Sequence, residues 1–255
     1  MSKTRGWILR SVAACLSGLC GNTLHAQQGD YEQVELKESG TIVGVVRYKG
    51  KVPKPKELKV TTGDKPCHKG PIMSERLVLS ADRKVKFAVA SIKGIGRGKP
   101  FPEPDAQNPV TLDQQGCRFQ PHVLTVPLGH PLRILNSDGI LHNVHAHTMM
   151  NDAFNRAMPP KVKQMDVSFA YPERIKFTCD AHNWMKSYII VAEHPYYAVT
   201  GDDGSFRFEN VPLGTHTIEV WHEALGKQKQ EVTVAAGEEV SVEFVLQRKK
   251  KRGKR

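Results

Sequence analysis

The residues best able to do chemistry stand together at Phe177-Thr178-Cys179-Asp180-Ala181-His182-Asn183-Trp184-Met185, where a thiol, an imidazole and a thioether fall within seven residues. As thiolate, imidazole and thioether they are ligands for a first-row transition metal, the two sulfur donors being soft. A loop of this length between two strands can turn all three side chains toward one point. Three donors leave such an ion incompletely held, so another must come from elsewhere. Upstream, Leu132-Arg133-Ile134-Leu135-Asn136-Ser137-Asp138 leads to Leu141-His142-Asn143-Val144-His145, which sets His142 just past the end of an apolar strand. On the residues alone two other readings stay open. Cys179 is a disulfide partner and the histidines lie on the surface, or the ion is zinc, which one Cys and two His also bind.

Strands are the elements available to position such donors. Short apolar or alternating runs recur at 41–48, 76–80, 84–93, 122–126, 131–136, 174–179, 186–192, 205–209, 215–221 and 231–235. Val85, Phe87 and Val89 alternate with other residues, as do Val240, Val242, Phe244 and Leu246, the period of a half-buried strand. Glycine and proline punctuate the gaps at Gly50, Pro53, Gly129, Gly201, Gly204, Pro212, Gly214 and Gly237. No window carries a helical stripe of any length. The expected fold class is therefore all-β, in two sandwiches. Residues 95–109, rich in Gly and Pro, read as a linker, and His194-Pro195 as a second boundary. Gly94-Ile95-Gly96-Arg97-Gly98 lacks the lysine and following helix of a phosphate loop and reads as plain loop.

Charge and cysteines narrow the setting. The 255 residues carry a formal net charge of +11, of which Lys3, Arg5 and Arg10 supply three and residues 248–255 seven, leaving +1 for residues 27–247. So neutral a body excludes the broad basic face that binding a specific nucleic acid requires. Lys3, Arg5 and Arg10 precede an apolar run at 12–19 and then Leu24-His25-Ala26, which reads as a signal peptide (1–26) cut near Ala26 and implies a periplasmic or secreted protein. That run is shorter than the roughly 20 apolar residues of a membrane helix. Removing the leader deletes Cys15 and Cys20 and leaves Cys67, Cys117 and Cys179 in an oxidising setting. Pairing Cys67 with Cys117 would account for every cysteine beyond the proposed ligand, place their Cα atoms within about 7 Å and contribute about 4 kcal/mol by closing a loop of about 50 residues. Free thiols or an intermolecular bond are the alternatives. The basic tail, 248–255, would stay disordered and offers contact with an anionic surface or a docking partner.

With these residues set out, the stretch 110–193 resembles the cupredoxins of the amicyanin and plastocyanin type. The resemblance rests on Cys179-x-x-His182-x-x-Met185 together with His142-Asn143-Val144-His145, in that family's order. It implies a Greek-key β-sandwich holding one type 1 copper ion, with His142, Cys179, His182 and Met185 as ligands, Asn143 bracing the two ligand loops, and His182 near the surface where its outer edge would pass the electron. The donor chemistry agrees: thiolate favours Cu(I), imidazole accepts either oxidation state, a weak axial thioether suits a geometry between the two, and Met is a poor zinc ligand. Asn183 departs from the family, which usually has proline there, and this puts the loop's rigidity and the redox potential in question. Trp184 reads as packing over the site. His145, His147, Met149 and Met150 have the types for a second, transient copper ion but read as surface residues, His122 as a packed or surface histidine, and His68 as no better a ligand.

Residues 195–247 contain Asp202-Asp203-Gly204-Ser205-Phe206 followed by Val211-Pro212-Leu213-Gly214. They resemble the carboxypeptidase regulatory-like (transthyretin-like) β-sandwich, which carries no catalytic residues, and Asp202 and Asp203 read as turn residues rather than calcium ligands. Residues 41–53 resemble the opening strand and turn of the same fold. The expected architecture joins 39–94 and 195–247 in one sandwich with the cupredoxin inserted, two consecutive modules being the alternative. Together these features lead to an expectation of an exported, non-enzymatic electron-transfer protein that meets a redox partner protein. A copper carrier or sensor, and a cell-surface structural module, are the competing expectations.

Overall fold

A computed structural model describes residues 31–61 and 63–248. The expected leader at 1–26 and, apart from Arg248, the basic tail at 248–255 lie outside the described residues. The described chain is all-β with one short 3-10 turn, Lys65–His68, and has no helix long and apolar enough to cross a membrane.

Two pairs of sheets enclose two cores. In the first, Tyr197–Val199, Val89–Lys93, Gly214–His222 and Gly226–Val234 form a four-stranded sheet, and Ser205–Val211, Gly40–Tyr48 and Glu239–Leu246 a three-stranded one. Gly40–Tyr48 pairs in parallel with Glu239–Leu246, and Val89–Lys93 pairs antiparallel with Gly214–His222, so strands from both ends of the described chain share these sheets. Alternation does the packing: Ile42, Val46, Ile92, Phe206, Phe208, Ile218, Val220 and Phe244 meet in one buried cluster. Gly44 lies directly opposite Phe206 on the neighbouring strand, so close under its ring that a Cβ there would come within 2.1 Å of it, and the ring can lie across its strand partner only because that residue is glycine.

The run expected as a strand at 84–93 forms one only at Val89–Lys93. Phe87 adopts φ 64° and breaks the alternation, sending its ring to lie 5.2 Å from that of His122 in the other half of the molecule. Residues 76–80 contribute no strand, only an isolated bridge between Leu79 and Val85.

In the second pair, Phe154–Met158, His142–His147, Arg174–Thr178, Lys186–Ala192 and Val123–Pro127 line up in that order, facing Gln164–Val167, Leu132–Asn136, Thr111–Gln114 and Phe119–Gln120. Leu112, Phe119, Ile134, Val144, Met158, Ile175, Phe177 and Ile189 fill the space between. Residues 58–72 leave the first pair of sheets and lie on this one, with Leu58, Val60, Cys67 and Ile72 packed into its core. The expected disulfide, Cys67–Cys117, pins them there with a Cα separation of 5.2 Å.

The halves meet through Val89, Val123 and Ile190, and through Glu223, which accepts from His122 Nε2 and from Lys186 Nζ, both at 2.6 Å. His122 is thus a buried junction residue. His194 and His222 are buried within or beside the first core, and burial holds both imidazoles down to about 4. Unfolded, each would titrate near 6.5, so the unfolded chain binds more protons between pH 6.5 and 4 and stability falls as pH drops through that window, by about 1.4 kcal/mol per pH unit for each histidine. Thermal unfolding followed from pH 7 to 4 should show this slope, and His222→Asn should flatten it. An unaltered slope in that variant would refute the assignment.

Candidate metal centre

Register explains how residues far apart in sequence meet. Strand His142–His147 runs antiparallel to Arg174–Thr178, with Thr178 opposite His145 and Phe177 opposite Ala146. Continuing that register one or two steps brings the start of the first strand beside the loop that follows the second. His142 follows the apolar strand Leu132–Asn136, as expected from the sequence, and is itself the first residue of the next strand. The loop 179–185 is closed by its own backbone, Met185 N–H donating to His182 O at 2.9 Å and Cys179 N–H to Met185 O at 3.4 Å.

Cys179 Sγ lies 3.6 Å from His182 Nδ1 and 3.9 Å from His142 Nδ1, and the two Nδ1 atoms are 2.9 Å apart. An ion with nitrogen ligands at about 2.0 Å and sulfur at about 2.3 Å in tetrahedral array separates its donors by about 3.3 to 3.6 Å. The Cys179–His182 spacing falls in that range and the other two lie within about 0.4 Å of it. All three side chains are buried, as is Met185, which packs in the same core as Cys179.

The outer nitrogens are occupied. His142 Nε2–H donates to Asp138 Oδ2 at 3.0 Å, and that carboxylate also accepts the N–H groups of Gly116 (2.7 Å) and Cys117 (2.8 Å). His182 Nε2–H donates to Asp64 Oδ2 at 3.3 Å. A carboxylate on Nε2 puts the proton there and turns the Nδ1 lone pair inward, the arrangement that orients a metal-binding imidazole. Burial pulls the His142 imidazole down, but Asp138 and the Cys179 sulfur outweigh it and hold the group up at about 9. Burial likewise pushes the Cys179 thiol up, but hydrogen bonds from His142, His182 and the Asn143 N–H bring it down to about 6. Burial raises Asp138, yet His142 and the backbone donors keep it below the usual carboxylate range. Without metal these shifts describe a Cys179 thiolate beside a protonated His142, so an incoming metal ion would displace the His142 Nδ1 proton.

Asn143 ties the two segments together: its N–H points at Cys179 Sγ (3.4 Å) and its Oδ1 accepts from the N–H groups of Asp180 (2.5 Å) and Ala181 (3.2 Å). Asn155 extends the brace, accepting from Asn143 and donating to Asp180 Oδ2 at 2.6 Å.

One expectation is corrected. His182 is not near the surface: it is 1% exposed, covered by Asp64, by Trp184 at 5.2 Å between ring centroids, and by the Cys67–Cys117 sulfurs, which lie within 4.8 Å of its ring nitrogen. Trp184 is half-buried and donates Nε1–H to Cys117 O at 3.0 Å. His145 and His147 stack on the sheet exterior 4.2 Å apart, tied to Asp180 and Thr178, with Met149 and Met150 exposed beyond them. Asp203 accepts from the Ser205 N–H and hydroxyl, a turn contact, and Asp202 pairs with Lys86 at 2.8 Å. The sequence reading missed Asp64 and Asp138. Asp138 stands four residues before His142, whereas nothing in the sequence around Asp64 points to a residue 118 positions later.

No curated protein matches the chain. Among solved structures, a Cu-containing nitrite reductase from Thermus scotoductus SA-01 is 21% identical with a TM-score of 0.31, over 40% of this chain and 25% of its own. This chain therefore spans only a quarter of that enzyme's length. A purple cupredoxin from Nitrosopumilus maritimus is 17% identical with a TM-score of 0.28 (32% of this chain, 99% of its own), and amicyanin from Paracoccus versutus is 20% identical with a TM-score of 0.31 (35% and 86%). Residues 188–247 match the family model of the carboxypeptidase regulatory-like domain.

Proposed function

We propose that this chain is an exported type 1 copper protein that passes single electrons between redox partners, with the carboxypeptidase regulatory-like sandwich as scaffold. The observation that carries the reading is the convergence of Cys179 Sγ with the inward-turned Nδ1 atoms of His142 and His182, each imidazole backed by a carboxylate. A bound copper ion would supply one-electron chemistry between Cu(I) and Cu(II).

The residues present suit that role. A thiolate and two imidazoles serve both oxidation states, and Met185 in the same loop favours copper over zinc. Asn143, Asn155 and the strand register hold the donors in place, so little has to move when charge changes. Burial of all four residues keeps substrates away from the centre, which favours a carrier over an enzyme. The Cys67–Cys117 disulfide favours an oxidising compartment and so supports export.

Addition of Cu(II) to the reduced protein tests the reading. Intense blue absorption from a copper–thiolate bond, bleached and restored by one electron with the metal retained, is the expected result. Ready loss of the metal to a chelator would favour delivery of copper, and absence of binding would leave a structural module.

A further inference from the structure

We propose that electrons leave this site through Trp184 into a cation-rimmed cavity that docks the acidic face of a partner protein, a proposal that rests on the copper reading above. The route by way of the outer edge of His182 is closed, because Asp64 and the disulfide-pinned segment cover it. Trp184 is the aromatic group in contact with that imidazole that also reaches outward. Its ring stands edge-on to His182, and its other side lines an open cavity of about 270 Å³.

The cavity has an apolar floor, including Leu58, Phe119, Trp184 and the candidate ligand Met185, with exposed Met73 at its edge and a cationic margin of Lys56, Arg76 and Arg118. Lys186 also lines it but is held by Glu223, and Glu75 is the one carboxylate among its lining residues. The covering segment is itself basic: residues 51–70 hold six lysines against Glu57 and Asp64. The small net charge of the body thus conceals a concentration of positive charge over the metal-site end. The charges stand at the mouth, with Lys56 and Arg76 exposed, while the Trp184 N–H is already given to Cys117 O. The floor therefore offers little to hold a small anion inside. An apolar centre with a charged rim is the pattern of a protein interface, and one-signed rims steer partners of opposite charge. In transfer, a reduced centre loses one electron and the partner's acceptor gains it, with no proton or bond exchanged.

Two measurements test this. The first needs no copper: in a Trp7→Phe/Trp221→Phe chain, where Trp184 is the remaining tryptophan, fluorescence quenching by iodide and by caesium is measured at low ionic strength, each normalised to N-acetyltryptophanamide. Iodide should be favoured by about fivefold, and Arg76→Glu/Arg118→Glu should abolish that preference. Equal quenching, or a preference for caesium, would overturn the cationic surface. Quenching that saturates at millimolar iodide would assign the cavity to a small anion and overturn protein docking. The second measurement uses the copper-loaded, reduced protein. Its oxidation by hexacyanoferrate(III) should slow about tenfold in Arg76→Glu/Arg118→Glu, while oxidation by cationic tris(phenanthroline)cobalt(III) should not slow. Trp184→Leu, and more mildly Trp184→Phe, should slow both oxidants with the blue absorption retained. Unchanged rates in Trp184→Leu would overturn the route. A chain that never turns blue would fail the copper reading alone, and the quenching comparison would still decide the surface.

Discussion

Replacing Cys179 with Ser should remove the visible absorption of the copper-loaded protein entirely and weaken Cu(I) binding by at least about 100-fold. The sulfur is the centre's soft anionic donor, brought down to about 6 by His142, His182 and the Asn143 N–H, and a serine hydroxyl at that position stays protonated. The change is small in volume, so the sandwich should remain folded and the loss should be one of coordination. Met185→Leu provides the contrast. It keeps the volume of a buried side chain, costs less than about 1.5 kcal/mol in stability, retains the colour and raises the reduction potential, because removing a weak axial donor favours Cu(I). Visible spectra and redox titration of both variants check the pair. Equal colour in Cys179→Ser would mean that another sulfur holds the metal.

The second large effect is expected from Cys67→Ala/Cys117→Ala. The disulfide closes a loop with a sequence separation of 50, and its loss should cost about 4 kcal/mol through the greater freedom of the unfolded chain. In a protein of this size that is a fall on the order of 10 °C in unfolding temperature. The loss should fall most heavily on the segment that covers the metal site, since Leu58, Val60 and Ile72 are then its remaining anchors in the core. Calorimetry of the double variant, and of the parent with and without reductant, measures it. Coincident transitions in all samples would show that the bridge does not stabilise the fold.

Much of the fold is legible in the residues alone. Alternation at 41–48, 205–209 and 240–246 marks strands because one face of each must be buried, a requirement each strand expresses in its own residues. The segment 84–93 misleads because Phe87 fits the alternating pattern yet turns away at positive φ to pack against His122, a choice made by a neighbour 35 positions on. Among the strands of four or more residues, Thr111–Gln114, His142–His147, Phe154–Met158 and Gln164–Val167 escape notice because polar residues interrupt them and they are held by their strand partners rather than by a long apolar face of their own.

The sequence by itself determined the chemistry on offer: Cys179, His182 and Met185 share one short loop, so their types and spacing are local facts, and the cysteine count pointed to the Cys67–Cys117 bond. Only the tertiary structure decided which face of the centre is open. Whether His182 meets solvent depends on Asp64 and a turn-rich segment that shows no periodicity and lies more than a hundred residues earlier. Register decided that Asn143 reaches Asp180, and loop packing that Asp138 backs His142. Burial is a property of what covers a residue, and no pattern confined to one strand or loop records what the rest of the chain will lay over it.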